Sequence, residues 1–294
     1  MRALTTALQQ LIADIDRVDD IRSVGGGCIS DAVRASVVGG DGAARVLFVK
    51  RNEESFLDNF RCEWDGLVRL SQPGAIGVPE PLGVGVAEGS AWLVTEWVDQ
   101  AGRDREFFPR FGSSLAELHR ATLGNEIGLA EDNYLGSARQ LNTPGNDWAE
   151  FVAECRIGFQ IRWARDQGLA SDSLSRDCDR IIARMDQLLS GRDDATSLLH
   201  GDLWSGNYLC GADGRPFIID PAVYHGCREA ELGMLRLFGS CPAEFYEAYH
   251  DAFPLPRGWQ HRVSVYVLYH LLNHLNLFGT GYLGQCQSKA AEIL

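Results

Sequence analysis

The residue pattern of this 294-residue chain changes character near Val98: β-rich runs and glycine turns come before it, helical spacing after it. From residue 21 to 50 the order is strand, Gly-rich turn, strand, hairpin, strand. Residues 32–38 and 43–49 are β-rich runs joined by Gly39-Gly40-Asp41-Gly42, whose glycines permit the positive φ of a tight hairpin. Residues 56–70 place Phe56, Phe60, Leu67 and Leu70 at helical spacing, and the stretch from Pro73 to Pro81 ends that helix. Two further strands are predicted over 82–87 and 92–97. Beyond them, residues 107–120, 148–167, 174–189 and 228 onward read as helices, the third with Leu174, Ile181, Ile182, Met185, Leu188 and Leu189 in an amphipathic pattern. The expectation is an α+β fold of two lobes with a cleft between them. Residues 1–98 form a small antiparallel β lobe with one helix and a leading helix, and residues 99–294 form a mainly helical lobe. At roughly 150 residues per domain the length suits two.

After the join comes L-H-G-D-L-W-S-G-N, residues 199–207, followed thirteen residues later by Asp220 at the end of the apolar run 216–219. Asp202 and Asn207 have the separation of the base and the metal-binding Asn in the phosphoryl-transfer loop H-R-D-x-x-x-x-N, and Asp220 lies where the second metal-binding acid would be. The chemistry explains the spacing: one carboxylate must face a substrate hydroxyl while an amide oxygen five residues on meets the same cation as the second acid. Each residue alone would pass for a turn Asp or a cap Asn; the ordered set points to phosphoryl transfer.

The front of the chain supplies nucleotide-binding candidates. Gly25, Gly26, Gly27 and Cys28 lie between the first two predicted strands, where consecutive glycines let backbone N–H groups approach phosphate oxygens. The run is neither a Walker sequence nor G-x-G-x-x-G, and a hairpin turn uses the same residues. Lys50 ends the strand L-F-V-K and Glu63 sits in the next helix. This is the order in which a strand lysine holds α/β-phosphates and a helix glutamate holds the lysine. A solvated Lys and an exposed Glu are the plain alternative. Residues 94–98, with Glu96 and Val98, have the position of a linker whose backbone hydrogen-bonds an adenine edge.

Several features narrow the partners. With 40 acidic against 27 basic side chains the formal charge is −13, which argues against a nucleic-acid ligand. The most apolar stretch, residues 263–278, is interrupted by His270, Asn273, His274 and Asn276, so no membrane span is expected. Eight scattered cysteines without a C-x-x-C pair, and no signal-type N-terminus, read as reduced thiols of a cytoplasmic protein without a zinc site. His270 and His274, four apart, read as structural because no third ligand accompanies them. His200 is expected to orient the backbone of the turn. Glu229 and Glu231 either face substrate or sit at a helix start, where acids suit the dipole. Cys28 either packs a turn or, beside phosphate-binding N–H groups, has a lowered pKa and can be oxidised; crosslinking through it would make a redox-linked dimer of an otherwise monomeric chain.

The run L-L-H-G-D-L-W-S-G-N, then I-D-P-A-V-Y, R-E-A-E-L and L-Y-H-L-L-N-H-L-N-L-F-G, resembles the fructosamine kinase family. G-G-G-C-I-S, F-V-K and D-N-Y-L-G extend the resemblance from about residue 5 to 284. H-G-D alone would also fit aminoglycoside phosphotransferases and choline kinases; the Trp204 loop with D-P-A-V-Y is more specific. The resemblance implies a protein-kinase-like fold. It also implies ATP- and Mg2+-dependent phosphorylation of a ketoamine at the third sugar carbon, free or on a protein lysine, which destabilises the adduct and frees the amine. It makes Asp202 the base, Asn207 and Asp220 the metal ligands, Lys50 the phosphate contact and Glu63 its partner, and places Glu229 near substrate. Trp204 is either a wall for the sugar or a packing residue of its own loop. His225-Gly226-Cys227 departs from the Tyr-Gly-His expected before R-E-A-E-L. Alternatives are a kinase of another amino-sugar or amino-alcohol, and a catalytically silent nucleotide-binding scaffold.

Overall fold

The computed structural model describes residues 2–25, 29–237, 239 and 241–294. In chain order it contains α1 (Arg2–Leu11), β1 (Ile15–Ser23), β2 (Asp31–Gly39), β3 (Ala44–Glu53), α2 (Leu57–Ser71), β4 (Pro81–Ala87), β5 (Ser90–Glu96) and α3 (Phe107–Ala121). There follow β6 (Asn133–Leu135), β7 (Ala138–Gln140), α4 (Trp148–Phe151), a π-helical turn (Val152–Gly158), α5 (Phe159–Asp166), α6 (Asp172–Ala183) and α7 (Met185–Leu188). The chain continues through β8 (Ser197–Leu199), β9 (Tyr208–Cys210), β10 (Pro216–Ile218) and β11 (Tyr224–Gly226). It closes with α8 (Glu229–Leu237), α9 (Ala243–Ala252), α10 (Trp259–Phe278) and α11 (Leu283–Ile293). Two compact units result: Met1–Phe107 with Tyr208–Pro221, and Phe108–Asn207 with Ala222–Leu294.

The first unit is built on an antiparallel sheet of order β1-β2-β3-β5-β4. β5 is buried along nearly its whole length because both sheet faces are covered. Leu4, Ala7 and Leu8 of α1, at helical spacing, pack on Ala35, Val37, Leu47, Val49, Trp92 and Val94. On the other face Phe60 of α2 joins Ala91 and Leu93, with Phe56, Leu57, Trp64 and Val84 around them. The β9–β10 hairpin belongs to this unit by backbone bonds: the N–H groups of Gly77 and Ile218 donate to Pro216 and Gly77 carbonyls, both at 2.9 Å.

The first strand starts at Ile15, six residues before the alternation in the sequence suggests. Register shifts between Ile15 and Arg17 and between Val18 and Asp20 break the period of two, so Ile15, Val18 and Ile21 recur every third residue. The leading helix stops at Leu11.

In the second unit the expected long helix over 148–167 is three pieces. A π-helical turn shifts the ladder, and a Cβ on Gly158 would lie 2.6 Å from the Ala153 carbonyl oxygen. The segment 174–189 divides at Arg184, whose φ of −114° leaves the helical range. α3 and α9 pack at close range, where a Cβ on Gly112 would stand 2.2 Å from the Phe245 carbonyl oxygen. Gly112→Ala is therefore expected to destabilise the protein by about 1–3 kcal/mol, the usual cost of overpacking. Thermal unfolding should show a midpoint lowered by several degrees; an unchanged midpoint contradicts the packing described.

Candidate functional site

In the first unit, Lys50 near the end of β3, Glu63 in the middle of α2 and Asp220 just beyond β10 converge on one point. The Lys50 Nζ lies 2.7 Å from Glu63 Oε1 and 2.8 Å from Asp220 Oδ1, with only 12% of the lysine side chain and 16% of the glutamate side chain exposed. Burial alone would lower the lysine pKa; the carboxylates of Asp220 and Glu63 outweigh it and raise the value above its usual range. Burial pushes the Glu63 carboxyl up to about 7, opposed by Lys50 and assisted by the like charge of Asp220. Asp220 is more open, at 41% side-chain exposure, and holds φ of +58°, a left-handed conformation costing on the order of 1 kcal/mol in a non-glycine residue.

Of the Gly-rich run, Gly25 is exposed with nothing within 4 Å of a notional Cβ. Gly26, Gly27 and Cys28 lie outside the described residues, and so does the redox reading of Cys28. At the end of β5 the Glu96 N–H donates to Glu80 and the Trp97 N–H to Val46, at 2.9 and 3.1 Å, so the strand pairing continues through Trp97. Val98 makes no backbone–backbone hydrogen bond among the described residues.

In the second unit, the turn after β8 carries His200, Gly201 and Asp202. Gly201 has φ of +83°, and a Cβ there would stand 2.1 Å from the Ala222 carbonyl oxygen, so only glycine fits. The Ala222 N–H donates to the His200 carbonyl at 2.8 Å. Glu231 of α8, 1% exposed, accepts the N–H groups of His200 at 2.5 Å and Gly201 at 3.1 Å. His200 itself takes the backbone-orienting place expected of it: its Nδ1 accepts the Asp202 N–H at 3.3 Å. Asn207 closes the loop, its Nδ2 donating to the Asp202 carbonyl at 2.8 Å and to Asp202 Oδ2 at 3.2 Å. With the amide nitrogen engaged there, the Asn207 Oδ1 is the atom available to a cation. A hard divalent ion takes oxygen donors, so the amide oxygen of Asn207 and the exposed carboxylate of Asp220 each suit magnesium.

Trp204 is half-buried, its ring lying across Gly206, where a Cβ would stand 2.5 Å from the indole. Glu229, expected near substrate, is 1% exposed, and its two carboxylate oxygens take both ends of the Arg262 guanidinium at 2.6 and 2.7 Å, a buried bidentate pair. In the departing segment 225–227, His225 Nε2 lies 3.5 Å from Glu126 Oε2, and burial pushes the Cys227 thiol up to about 12. His270 is held near a pKa of about 3 by burial, and the His274 ring meets the His270 carbonyl at 2.7 Å, a neutral packing pair. Among the described residues no group of three or more His, Cys, Asp or Glu is arranged to hold a metal, and no helix is long and apolar enough to cross a membrane.

One supporting layer was not foreseen. From the β6–β7 hairpin, Asn133 Nδ2 donates to the Val223 carbonyl at 2.7 Å and Gln140 Nε2 to the Ala222 carbonyl at 3.0 Å; the Tyr269 hydroxyl donates to Gln140 Oε1 at 2.8 Å. These amides hold the residues against which Gly201 packs. The available signal was an Asn inside a short β segment, D-N-Y-L-G, where a buried amide needs a partner.

Glu63 supplies a test of the buried trio. A carboxyl that keeps its proton to about pH 7 when folded, against an ordinary value of 4.5, adds stability fully present below about pH 4.5 and lost as pH rises through 7. Chemical unfolding of wild type and Glu63→Gln at pH 5 and pH 8 should show the wild-type advantage shrinking at the higher pH. A constant difference contradicts the burial of that group.

Comparison with known proteins adds an independent line. The family described as fructosamine kinase matches residues 1–294. A Synechocystis protein assigned as a probable ketoamine kinase is 38% identical over 278 residues, covering 95% of this chain and 91% of that protein. The chloroplastic protein-ribulosamine 3-kinase of Arabidopsis thaliana is 36% identical over 280 residues, covering 95% and 83%. A solved Thermobifida fusca structure assigned as a fructosamine-3-kinase superposes with a TM-score of 0.87 at 32% identity, covering 100% of this chain and 99% of that one. The aminoglycoside phosphotransferase APH(4)-Ia, solved with AMP-PNP and hygromycin B, matches with a TM-score of 0.68 at 17% identity over 98% of both chains, a likeness of fold. The α+β class expected from the residue pattern and the kinase-like fold implied by the resemblance agree with these matches.

Proposed function

The chain belongs to the fructosamine kinase family and is a phosphotransferase acting on a sugar hydroxyl, and on that premise we propose that it phosphorylates ketoamines from ATP at the third sugar carbon. The acceptors are Amadori-type adducts of sugars with amines, free or on protein lysines, and the phosphorylated adduct falls apart to release the amine. The observation that supports this best is the shared Lys50 ammonium, a buried cation between two carboxylates at 2.7 and 2.8 Å. A strand lysine held in place by a helix glutamate is the kind of cation that contacts a nucleotide phosphate.

In this reading Lys50 contacts the α- and β-phosphates, Glu63 keeps the ammonium aimed, and Gly25 to Cys28 offer backbone N–H donors. Glu96 and Val98 meet the adenine edge through the backbone. Asn207 and Asp220 would hold magnesium, which when bound neutralises charge on the phosphate oxygens. Asp202 accepts the proton of the attacking hydroxyl and fixes its direction. Trp204 is the candidate sugar wall. Positioning and electrostatics account for most of the rate, with the base contributing about 10²–10⁴-fold.

Asp202→Asn should keep wild-type unfolding behaviour and nucleotide affinity while kcat falls by about 10²–10⁴-fold. Retained turnover would remove Asp202 from the role of base. Lys50→Ala should raise KM for ATP at least tenfold, the loss of a charge-assisted phosphate contact. Substrate class is settled by assaying ATP consumption on synthetic ketoamines beside choline and an aminoglycoside panel. Turnover confined to the ketoamines supports the proposal. Preference for one of the others, or ATP binding without transfer to any hydroxyl, would refute it.

A further inference from the structure

We infer that Asn52 is a positioning residue for the nucleotide phosphates, which rests on reading Lys50 and the Gly-rich run 25–28 as their site. Asn52 ties the far end of that run to β3, the strand that carries Lys50. β3 pairs with β5 as far as Glu53↔Ser90, but with β2 only as far as Asp31↔Arg51. On the β2 side the ladder therefore stops one residue short of Asn52, where the chain returns from the Gly-rich run. The Asn52 side chain takes over there. Its Nδ2 donates to the Ile29 carbonyl at 3.0 Å and to Ser30 Oγ at 2.9 Å, and its Oδ1 accepts the Glu53 N–H at 2.8 Å. The near end of the run is held separately, by the Val24 N–H donating to the Ala32 carbonyl at 2.9 Å.

These contacts call for an amide. The Asn52 side chain donates twice and accepts once. Turning it over would set Oδ1 against the Ile29 carbonyl oxygen and the NH2 group against the Glu53 N–H. Asparagine is a poor strand residue, so propensity does not account for its place near the end of β3. Side chains two apart on a strand point to the same face, which puts Asn52 on the face that Lys50 presents to Glu63. One strand thus holds both the ammonium and the exit of the run at a fixed spacing. A phosphate chain must meet the ammonium and the backbone N–H donors together, and a run tied at both ends has less freedom to lose when the ligand arrives. With residues 29 and 30 released, the donors would be ordered only on binding, and affinity for the phosphates would fall.

The test is calorimetry on the full chain with ATP, ADP and adenosine, magnesium present and adenosine read in competition with ADP. It compares wild type, Asn52→Ala, Asn52→Val and Lys50→Ala. Both Asn52 variants should bind ATP and ADP about 3–20-fold more weakly, the range for losing one or two ordinary hydrogen bonds. Adenosine, which carries no phosphate, should bind within about twofold of wild type, as expected of independent sites. In steady state, KM for ATP should rise in the same proportion with kcat within about threefold of wild type, because the lost interaction serves ground state and transition state alike. A merely structural role would weaken all three ligands equally.

Wild-type ATP affinity in Asn52→Ala or Asn52→Val, or equal losses for ATP and adenosine, would overturn the inference. Should Asn52→Ala not fold, Asn52→Val, whose side chain suits a strand, decides it. Wild type binding ATP no more tightly than adenosine, or Lys50→Ala binding ATP as wild type does, refutes the phosphate-site reading instead. Weakened Lys50→Ala beside unchanged Asn52 variants refutes only the positioning role.

Discussion

A buried ammonium needs anions, and in the first unit that requirement ties three separate stretches of chain together. Lys50 comes from β3, Glu63 from α2 and Asp220 from the end of the β9–β10 hairpin, more than 150 residues further on. Leaving such a charge unpaired in the interior costs several kcal/mol. The register of β3 against β5, the seating of α2 on the sheet and the attachment of the hairpin through Gly77 must all be compatible with that one meeting point.

The second unit solves a related problem with the backbone. The turn holding Asp202 passes through buried surroundings, where an unmade peptide hydrogen bond costs about 1–3 kcal/mol. Its N–H and C=O groups are met by Glu231, by the Ala222 N–H and by the Asn207 amide, while Asn133 and Gln140 brace Ala222 and Val223 from behind. Every one of these partners is a fixed element of the fold, not a mobile surface group. A kinase that relies on placement more than on covalent chemistry benefits from a turn with so few alternatives.

Much of this was legible in the residue order. The hairpin at Gly39–Gly42, the α2 stripe, the helical pattern of α6 and the set Asp202, Asn207 and Asp220 all announce themselves through local spacing. The misreadings have local causes too. β1 hides because two bulges convert its period from two to three, and the helix over 148–167 conceals a π-helical turn because one extra residue per turn barely alters the apolar pattern. Glu229 and Glu231 are indistinguishable in the sequence. They sit two apart in one motif with identical side chains, yet one faces an arginine and the other two peptide N–H groups.

Periodicity, turn residues and the order of acids and amides are properties of neighbours along the chain, so the sequence by itself determined the fold class, the family and the candidate chemistry. Which buried charge meets which partner depends on contacts across tens to hundreds of residues, and no local pattern encodes those directly. The sharing of Lys50 between Glu63 and Asp220, the turning of Glu229 inward and the grip of Glu231 on the turn were decided by tertiary structure, because only a packed interior makes the cost of an unpaired polar group large enough to choose among them.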